Sequence, residues 1–180
     1  MSLVEPFVPT LVEARQDGFL ISTDKARLDL DAIHAELSAS YWSPGIPRSF
    51  VERAIRASLC FGVYEEAAGA GGMPAAARPR QVGFARIISD FSSFAYMADV
   101  YITASHRQRG LSKWLVQTMI AHPDLQNLRR FCLMTRDAHG LYARFGFGPM
   151  PDATRFMEKL DRDVYKRLAS VQHPHANPAR

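Results

Sequence analysis

The sequence lacks an apolar run long enough to cross a membrane. Its hydrophobic stretches are all shorter than the ~20 residues that a spanning helix needs. Residues 1–6 show no basic region followed by an apolar core, so they do not resemble a secretory signal. We therefore expect a protein that is not embedded in a membrane and that works in the cytoplasm.

Cysteine is also scarce. The chain has two cysteines, Cys60 and Cys132, and each lies in an apolar run typical of a buried strand. Neither has a second cysteine or a histidine at metal-ligand spacing beside it, so we expect free buried thiols and no metal site. Free thiols fit a reducing compartment, which again favours the cytoplasm.

Charge of one sign is present only in slight excess. The 22 Lys and Arg residues outnumber the 18 Asp and Glu residues, giving a formal net charge of +4. This excess suits an anionic ligand but does not separate nucleic acid from a phosphorylated cofactor. Because the chain lacks interleaved aromatic and basic motifs and any helix-turn-helix pattern, we do not expect a nucleic acid partner.

What is present is typical of one globular domain. The composition, 47% hydrophobic and 22% charged, is ordinary. We predict an N-terminal extension over 1–16, a single domain over 17–160, and a C-terminal segment and tail over 161–180. The Gly- and Ala-rich stretch 66–79 predicts a flexible surface loop.

Hydrophobic periodicity predicts an α/β domain with a mixed sheet and helices on both faces. The predicted order is β-α-α-β-β-β-α-β-α-β, in which hairpin strands precede a β-α-β crossover. Asp24, Ser49 and Asp137 are the expected helix caps, and Gly146 is the expected terminator of the last helix. Strands are predicted over 17–24, 59–65, 81–89, 94–103, 130–135 and 156–160, and helices near 28–37, 50–59, 111–122 and 138–145.

The segment 99–115 predicts an anion site. A strand runs into a short basic loop that opens directly into a helix, whose first amides lack intrahelical partners and carry partial positive charge. Gly110 lets the backbone approach a ligand closely, Arg107 and Arg109 add charge, and Ser112 offers a hydroxyl. The ligand expected here is a phosphate or pyrophosphate.

The glycine patterns of nucleotide-binding loops are not met. Of the Walker pattern only Gly110 is present, and the dinucleotide pattern needs three glycines. The run Arg107-x-x-Gly110-x-Ser112 instead resembles the acyl-CoA pyrophosphate loop of the GNAT superfamily of acetyltransferases, Arg/Gln-x-x-Gly-x-Gly/Ala. Residues 138–147 resemble the family's helix Ala-x-x-Leu-Tyr-x-x-x-Gly-Phe. Both motifs stand in the family's order, and the element order over 17–160 matches it.

This resemblance implies a fold and a reaction. Family members transfer an acetyl group from acetyl-CoA directly to an amine, on a mostly antiparallel sheet in which a bulge and a parallel pair of splayed strands expose backbone. Amides at residues 100–102 would then polarise the thioester carbonyl. The coenzyme contacts that the resemblance implies are Val100, Tyr101, Ile102, Arg107, Gln108, Arg109, Gly110, Leu111, Ser112, Lys113, Thr135 and His139.

Two of these positions depart from the family's pattern. Ser112 replaces a Gly or Ala, and Thr135 stands where many members carry Asn. Tyr142, in contrast, aligns with the family's general acid, since a phenol of pKa ~10 can protonate a departing thiolate. The alternative for Tyr142 is a core tyrosine on a short amphipathic helix.

The general base is open. Asp99 is an acid near the reactive end of the central strand, and a structural, hydrogen-bonded role is the alternative. Strand alternation places it opposite Val100 and Ile102 unless a bulge inverts the side chains. His106 and His139 also titrate near neutral pH, and we expect His106 to lie at the surface.

The acceptor pocket is placed by position alone. The loop 41–47 resembles the loop that walls this pocket in the family, so Tyr41 and Trp42 would form its rim or else plug a hydrophobic gap. Arg86 and Tyr96 would face the same pocket. We expect a small-molecule or peptide amine as acceptor, and homodimerisation is left open. The alternative function is a non-catalytic acyl-CoA-binding sensor.

Overall fold

The described part of the chain, residues 5–66 and 79–172 of a computed structural model, holds one six-stranded sheet. The strands are β1 Glu13–Gln16, β2 Phe19–Ser22, β3 Leu59–Glu65, β4 Arg80–Ser89, β5 Phe94–Ile102 and β6 Arg130–Leu133. They lie in chain order across the sheet, and neighbours are antiparallel except β5 and β6, which run parallel. The predicted fold class, with a mostly antiparallel sheet and one parallel pair, is confirmed.

Helices cover both faces of this sheet. Their bounds are α1 Leu30–Ala39, α2 Arg48–Arg56, α3 Leu111–Ile120, α4 His139–Ala143 and α5 Val164–Gln172. On one face, α1 and α2 bury Ile33, Leu37 and Val51 against Phe84. On the other face, α3 and α4 pack against the strands through the buried side chains Leu111, Leu115, Val116, Met119 and Tyr142. Because each buried Leu or Phe contributes about 1.5–3 kcal/mol, both layers hold the sheet.

Helix ends differ in part from the predicted caps. Asp24 caps the 3₁₀ turn Lys25–Arg27 by accepting from the Ala26 amide, 2.9 Å away, whereas Asp29 caps α1. Ser49 is not a cap, because Pro47, two residues earlier, holds the N-cap position and Ser49 lies inside α2. Asp137 is not a cap either, because Ala138 holds the N-cap position of α4.

The last strand predicted from the sequence is wrong. Residues 156–160 form no strand, and they leave Met157 92% and Leu160 56% exposed. A strand needs a ladder partner, and within the described residues β6 pairs with β5 alone. Residues 156–160 pair with no strand of this sheet, and the chain continues instead into α5, which the sequence did not predict.

The N-terminal edge of the sheet was missed as well. β1 pairs with β2 through a tight turn in which Asp17 and Gly18 have φ values of +50° and +78°. β1 lies before residue 17, where we placed the start of the domain, and that domain boundary stays a prediction. The glycine-rich stretch 66–79 lies almost entirely outside the described residues, as does the tail 173–180.

Two further expectations concern buried groups. Cys60 is buried and Cys132 is half-buried, and both thiols are free, as predicted. Burial raises the pKa of the Cys60 thiol to about 12, so it stays protonated as a small core side chain.

None of the helices in the described ranges is long and apolar enough to cross a membrane.

Candidate active site

A cavity of about 360 Å³ opens between the loop that follows β5 and the short helix α4. The loop enters α3 at Gly110, so the cavity lies at the N-terminus of that helix. Its lining consists of His106, Arg107, Gln108, Gly110, Leu111, Ser112, Lys113, Gly140, Leu141 and Arg144. The predicted loop therefore does form a concave site, and α4 supplies its opposite wall.

Backbone conformation shapes the loop side of this cavity. Gln108 and Gly110 have φ values of +63° and +79°, in the left-handed region that glycine adopts most readily. Gly110 begins α3 with its carbonyl accepting from the Trp114 amide at 3.0 Å, and no side chain caps the helix. By contrast, the Asp29 carboxylate caps α1. The first turn of α3 thus retains the uncapped amides that an anion can use.

Positive charge surrounds the cavity. Arg107, Lys113 and Arg144 line it, and no carboxylate is among the lining residues that the structure describes. Arg107 folds back, because its Nε donates to the Ile102 carbonyl at 3.1 Å. The Arg107 side chain therefore fastens the loop to the end of β5 while adding its charge to the site.

The structure separates the twelve predicted coenzyme residues into two groups. Six of them line the cavity: Arg107, Gln108, Gly110, Leu111, Ser112 and Lys113. The other six are not part of the lining: Val100, Tyr101, Ile102, Arg109, Thr135 and His139. Thr135 instead accepts from the Ala138 amide through Oγ1 at 3.0 Å. This bond replaces the predicted Asp137 cap, since Ala138 holds the N-cap position of α4 and makes no side-chain cap.

The α4 wall of the cavity was not predicted from the sequence. It consists of Gly140, Leu141 and Arg144. A signal was available, because Gly140 and Arg144 are four residues apart and so lie on one helix face. A cation on that face, opposite a basic loop, indicates an anion site shared between two elements.

Tyr142 lies on α4 and is 8% exposed. Its ring packs against Phe147, with centroids 6.1 Å apart. Burial, with smaller contributions from Tyr41 and Asp137, raises the pKa of Tyr142 to about 12. The phenol therefore keeps its proton at neutral pH, as a proton donor must.

β5 carries a bulge next to this region. Phe84 of β4 pairs with Tyr101 and Arg86 pairs with Ala98, so Asp99 and Val100 together oppose one residue of β4. Asp99 has a φ of +55°. At this bulge the alternation of side chains between the two faces of the sheet shifts by one residue. Asp99 therefore lies on the α1/α2 face, whereas Val100 and Ile102 face α3.

β6 pairs over its whole length with only the first part of β5, Phe94 to Met97. The parallel ladder runs from Phe94 opposite Arg130 to Met97 opposite Leu133, and β5 then continues to Ile102 without a β6 partner. The backbone of Val100, Tyr101 and Ile102 on this side is thus outside the ladder. The Tyr101 side chain is buried on the α1/α2 face, so its backbone is the part that remains for a ligand.

A second cluster lies on the α1/α2 face, and we call Trp42, Arg86 and Asp99 the acidic-pair cluster. The Arg86 Nε donates to one carboxylate oxygen of Asp99, and the Trp42 Nε1 donates to the other at 3.2 Å. The Arg86 and Asp99 side chains are 18% and 11% exposed. Arg86 also donates to the Ser58 hydroxyl at 3.3 Å, a contact that the sequence did not reveal.

Tyr41 connects the two regions. The Arg136 guanidinium lies 3.6 Å from the centre of the Tyr41 ring, and the Trp42 ring meets it edge-on at 4.9 Å. Both Tyr41 and Trp42 remain more than 40% exposed, as a rim would be. Tyr41 therefore contacts Trp42 of the acidic-pair cluster and also contributes to the raised pKa of Tyr142.

Tyr96 and Tyr165 border the acidic-pair cluster. Burial raises the pKa of both phenols, and the charges of Arg86 and Asp99 act on each of them. Tyr165 comes from α5 and packs edge-on against Phe50 at 5.9 Å. The predicted pocket residues thus come together, and a helix that the sequence did not predict adds one more.

His106 corrects another expectation. We expected a surface histidine, but the side chain is 4% exposed. Its ring contacts Ser105, Thr103, Glu65 and Arg80, because the 3₁₀ turn Ala104–His106 directs it towards the ends of β3 and β4. No group of three or more His, Cys, Asp or Glu side chains in the described residues is arranged to hold a metal ion.

Comparison with known proteins agrees with this geometry. Residues 60–149, half of the chain, match the family model of the acetyltransferase (GNAT) domain. That range runs from β3 to the residues after α4 and so includes the cavity, the bulge and Tyr142.

Individual relatives extend the match. The Gibberella zeae protein "Putative acetyltransferase FG08082" is 36% identical over 137 residues, which cover 70% of this chain and 76% of that protein. The crystal structure of the GNAT-family protein xcc2953 from Xanthomonas campestris pv. campestris is 45% identical, with a TM-score of 0.73, covering 84% of this chain and 99% of that one.

A more distant structure shares the fold alone. SA2161 from meticillin-resistant Staphylococcus aureus, described as a probable acetyltransferase of unknown function, has 16% identity and a TM-score of 0.58, covering 79% of this chain and 99% of that chain. The family model and the relatives above 30% identity decide the assignment. The chain belongs to the GNAT family of acetyltransferases and is, with that family, an acyltransferase.

Proposed function

We propose that this protein is an acetyl-CoA-dependent N-acetyltransferase that acts on a primary amine of a small molecule or peptide. One observation carries the proposal: α4 both walls a cationic cavity and carries a buried, protonated tyrosine. The cavity suits a diphosphate, and the tyrosine suits a leaving thiolate. A single short helix thus links the binding of the coenzyme to the chemistry.

The residues present fit coenzyme A. The uncapped first turn of α3 offers backbone amides, and Lys113 and Arg144 supply charge from both walls. The bulged end of β5 offers backbone outside the ladder for the pantetheine arm. When bound, acetyl-CoA supplies an acetyl group activated as a thioester.

Tyr142 would hold the proton that the departing sulfur needs. Because burial keeps its pKa near 12, the phenol is neutral over the physiological range and can donate. Its packing against Phe147 fixes the ring, so the hydroxyl is pre-positioned and not free to rotate away.

The acidic-pair cluster would form part of the acceptor site. Both oxygens of Asp99 already accept hydrogen bonds, from Arg86 and from Trp42. An amine that approached either oxygen would have to displace Arg86 or Trp42. We therefore favour a positioning role for Asp99, in which it holds Trp42 and Arg86 beside the amine, and its role as general base stays a prediction.

The test is an acceptor screen that detects release of the free CoA thiol, run with wild type and with Tyr142→Phe. Phenylalanine keeps the packing and removes the proton, so we expect kcat to fall about 100-fold or more. Calorimetry should give the same Kd for coenzyme A with both proteins, within about threefold. Equal turnover by the two would remove Tyr142 from the mechanism.

The sensor alternative makes a different prediction. A sensor would bind coenzyme A but release no thiol with any acceptor, whereas the enzyme turns over and loses turnover with Tyr142→Phe. Absence of coenzyme binding by wild type at millimolar concentration would contradict both functions at once.

A further inference from the structure

The mechanism above leaves one buried titratable group beside the cavity unused. His106 is 3% exposed, lines the cavity and directly precedes Arg107. Its amide donates to the Thr103 carbonyl at 2.9 Å, which closes the 3₁₀ turn between β5 and the loop. The His106 ring therefore sits under the backbone that would hold a diphosphate.

Three of the four partners of this ring, Ser105, Thr103 and Glu65, accommodate both protonation states. Nδ1 lies 2.8 Å from the Ser105 hydroxyl and 3.1 Å from the Thr103 hydroxyl, and Nε2 lies 3.3 Å from a Glu65 carboxylate oxygen. A hydroxyl donates to a neutral ring nitrogen and accepts from a protonated one. Glu65 accepts from Nε2–H in either case, so the hydroxyl and Glu65 contacts persist when the ring gains a proton, whereas Arg80 Nη2, 3.4 Å from Nδ1, can only donate and loses that contact.

The other buried histidine near α3 shows the contrast. His122, 1% exposed, follows the C-terminus of α3. Its Nδ1 accepts from the Asp124 amide at 3.3 Å, and its Nε2 donates to the Thr10 carbonyl at 3.0 Å. A backbone amide cannot reverse its role, so this ring is held neutral, and burial lowers the pKa of His122. His106 differs from His122 because its Nδ1 contacts the Ser105 and Thr103 hydroxyls, which can either donate or accept.

The charges that face His106 come from every element packed on it. Glu65 at the end of β3 favours the protonated ring, and Arg80 of β4, 3.3 Å from Nε2, opposes it. The Glu65 and Arg80 side chains are 40% and 64% exposed, so solvent and salt screen them. The edge-on Phe19 ring of β2 adds no charge. The cations Arg107 and Lys113 lie on the same wall of the cavity as His106, and the cation Arg144 lies on the α4 wall.

We propose that His106 is a positioning residue for the diphosphate loop and that protonation of its imidazole strengthens coenzyme binding. This inference rests on the proposed coenzyme site. A diphosphate placed in the cavity favours the imidazolium, and by linkage the imidazolium favours the diphosphate by the same factor. Because histidine changes charge between pH 5 and 8, the affinity then varies within the range in which enzymes work.

The test is calorimetric titration of the full chain with 3′-dephospho-coenzyme A near pH 8 and near pH 6. This probe keeps the diphosphate and lacks the terminal phosphate monoester, which itself titrates near pH 6. We expect wild type to bind about fivefold more tightly near pH 6. His106→Gln keeps a donor for Glu65 but cannot titrate, so its two Kd values should agree within about twofold.

Two further variants separate position from charge. His106→Phe fills the space but loses the hydrogen bonds, so its Kd should rise about tenfold at both pH values while kcat at saturating coenzyme stays within about twofold. His34→Gln is the matched control. Its imidazole bonds to the Ile46 carbonyl on the α1/α2 side, so it should reproduce the wild-type values at both pH values.

The outcomes are distinct. If His106→Gln keeps the wild-type pH dependence, or if His139→Gln removes it, protonation of His106 is not responsible and the inference fails. If wild type binds the probe with no change between the two pH values, it fails as well. If wild type binds no coenzyme at either pH, the proposed function itself fails.

Discussion

The two regions that meet at β5 are built in different ways. The cavity is made of two short stretches: residues 106–113 form one wall, and residues 140–144 form the other. The acidic-pair cluster joins side chains that are distant in sequence, since Trp42 reaches Asp99 across 57 positions. The cavity depends on backbone conformation, and the cluster depends on a partly buried ion pair.

This difference predicts different responses to substitution. A substitution that changes the backbone conformation of the cavity should weaken ligand binding, and it should lower the stability of the protein only modestly. A partly buried ion pair should lose stability when one partner is removed, because the remaining charge is left without its counterpart. The predictions below test this contrast in decreasing order of expected effect.

Removing the Asp99 carboxylate should have the largest effect. In Asp99→Ala, the Arg86 guanidinium keeps little solvent contact and loses its acceptor, so we expect a loss of about 3 kcal/mol in the free energy of unfolding. Urea denaturation measures it. Asp99→Asn tolerates the φ of +55° and keeps an acceptor, so it should lose about half as much.

Two comparisons sharpen this result. The double variant Asp99→Ala/Arg86→Met removes both charges and should recover part of the stability, since no unpaired charge remains. Lys166→Gln breaks the exposed pair with Asp163, whose side chains are 80% and 62% exposed, and should change stability by less than about 0.5 kcal/mol. Equal losses in Asp99→Ala and Lys166→Gln would contradict the contrast between buried and exposed pairs.

The loop wall of the cavity could be predicted from the sequence because its signals are local. Gly110 and the basic residues around it lie within one turn of a helix start, so spacing alone places them together. The α4 motif likewise puts Tyr142 on a short helix, although α4 ends at Ala143 and the predicted terminator Gly146, whose φ is +83°, lies three residues beyond it. In both cases a single stretch of fewer than ten residues fixes the geometry.

The rest depended on contacts between distant segments. Nothing near His106 in the sequence shows that Glu65 and Arg80 will cover its ring, so a surface position was expected. Residues 156–160 could form a strand only by pairing with another strand. The residues near them in the sequence do not show whether such a partner is available. Asp99 is only a candidate base from the sequence, because the sequence does not show that Arg86 pairs with it.

Gly110→Ala tests the backbone side of the contrast. At a φ of +79°, alanine is disfavoured by about 1–2 kcal/mol, although no atom lies within 4 Å of the added Cβ. We expect that loss in stability and a tenfold or greater rise in the Kd for coenzyme A, read by denaturation and calorimetry.

Gly140→Ala is the matched control for stability. Gly140 also lines the cavity, but it lies in α4 without a positive φ and has open space around its Cβ position. Alanine is the better helix former there, so stability should rise by up to about 1 kcal/mol. A loss in Gly140→Ala as large as that in Gly110→Ala would show that cavity lining, and not backbone conformation, sets the loss at Gly110.

The smallest effect is expected where the two regions touch. Arg136 stacks on Tyr41 at 3.6 Å, in an exposed setting in which such a contact contributes about 0.5–1 kcal/mol. Arg136→Met keeps a side chain against the ring and removes the charge. Because Tyr41 contacts Trp42 of the acidic-pair cluster, we expect a two- to fourfold rise in KM for the amine and no change in KM for the coenzyme. Initial rates with each substrate varied in turn measure the two values, and a rise confined to the coenzyme would place Tyr41 with the cavity and not with the acceptor.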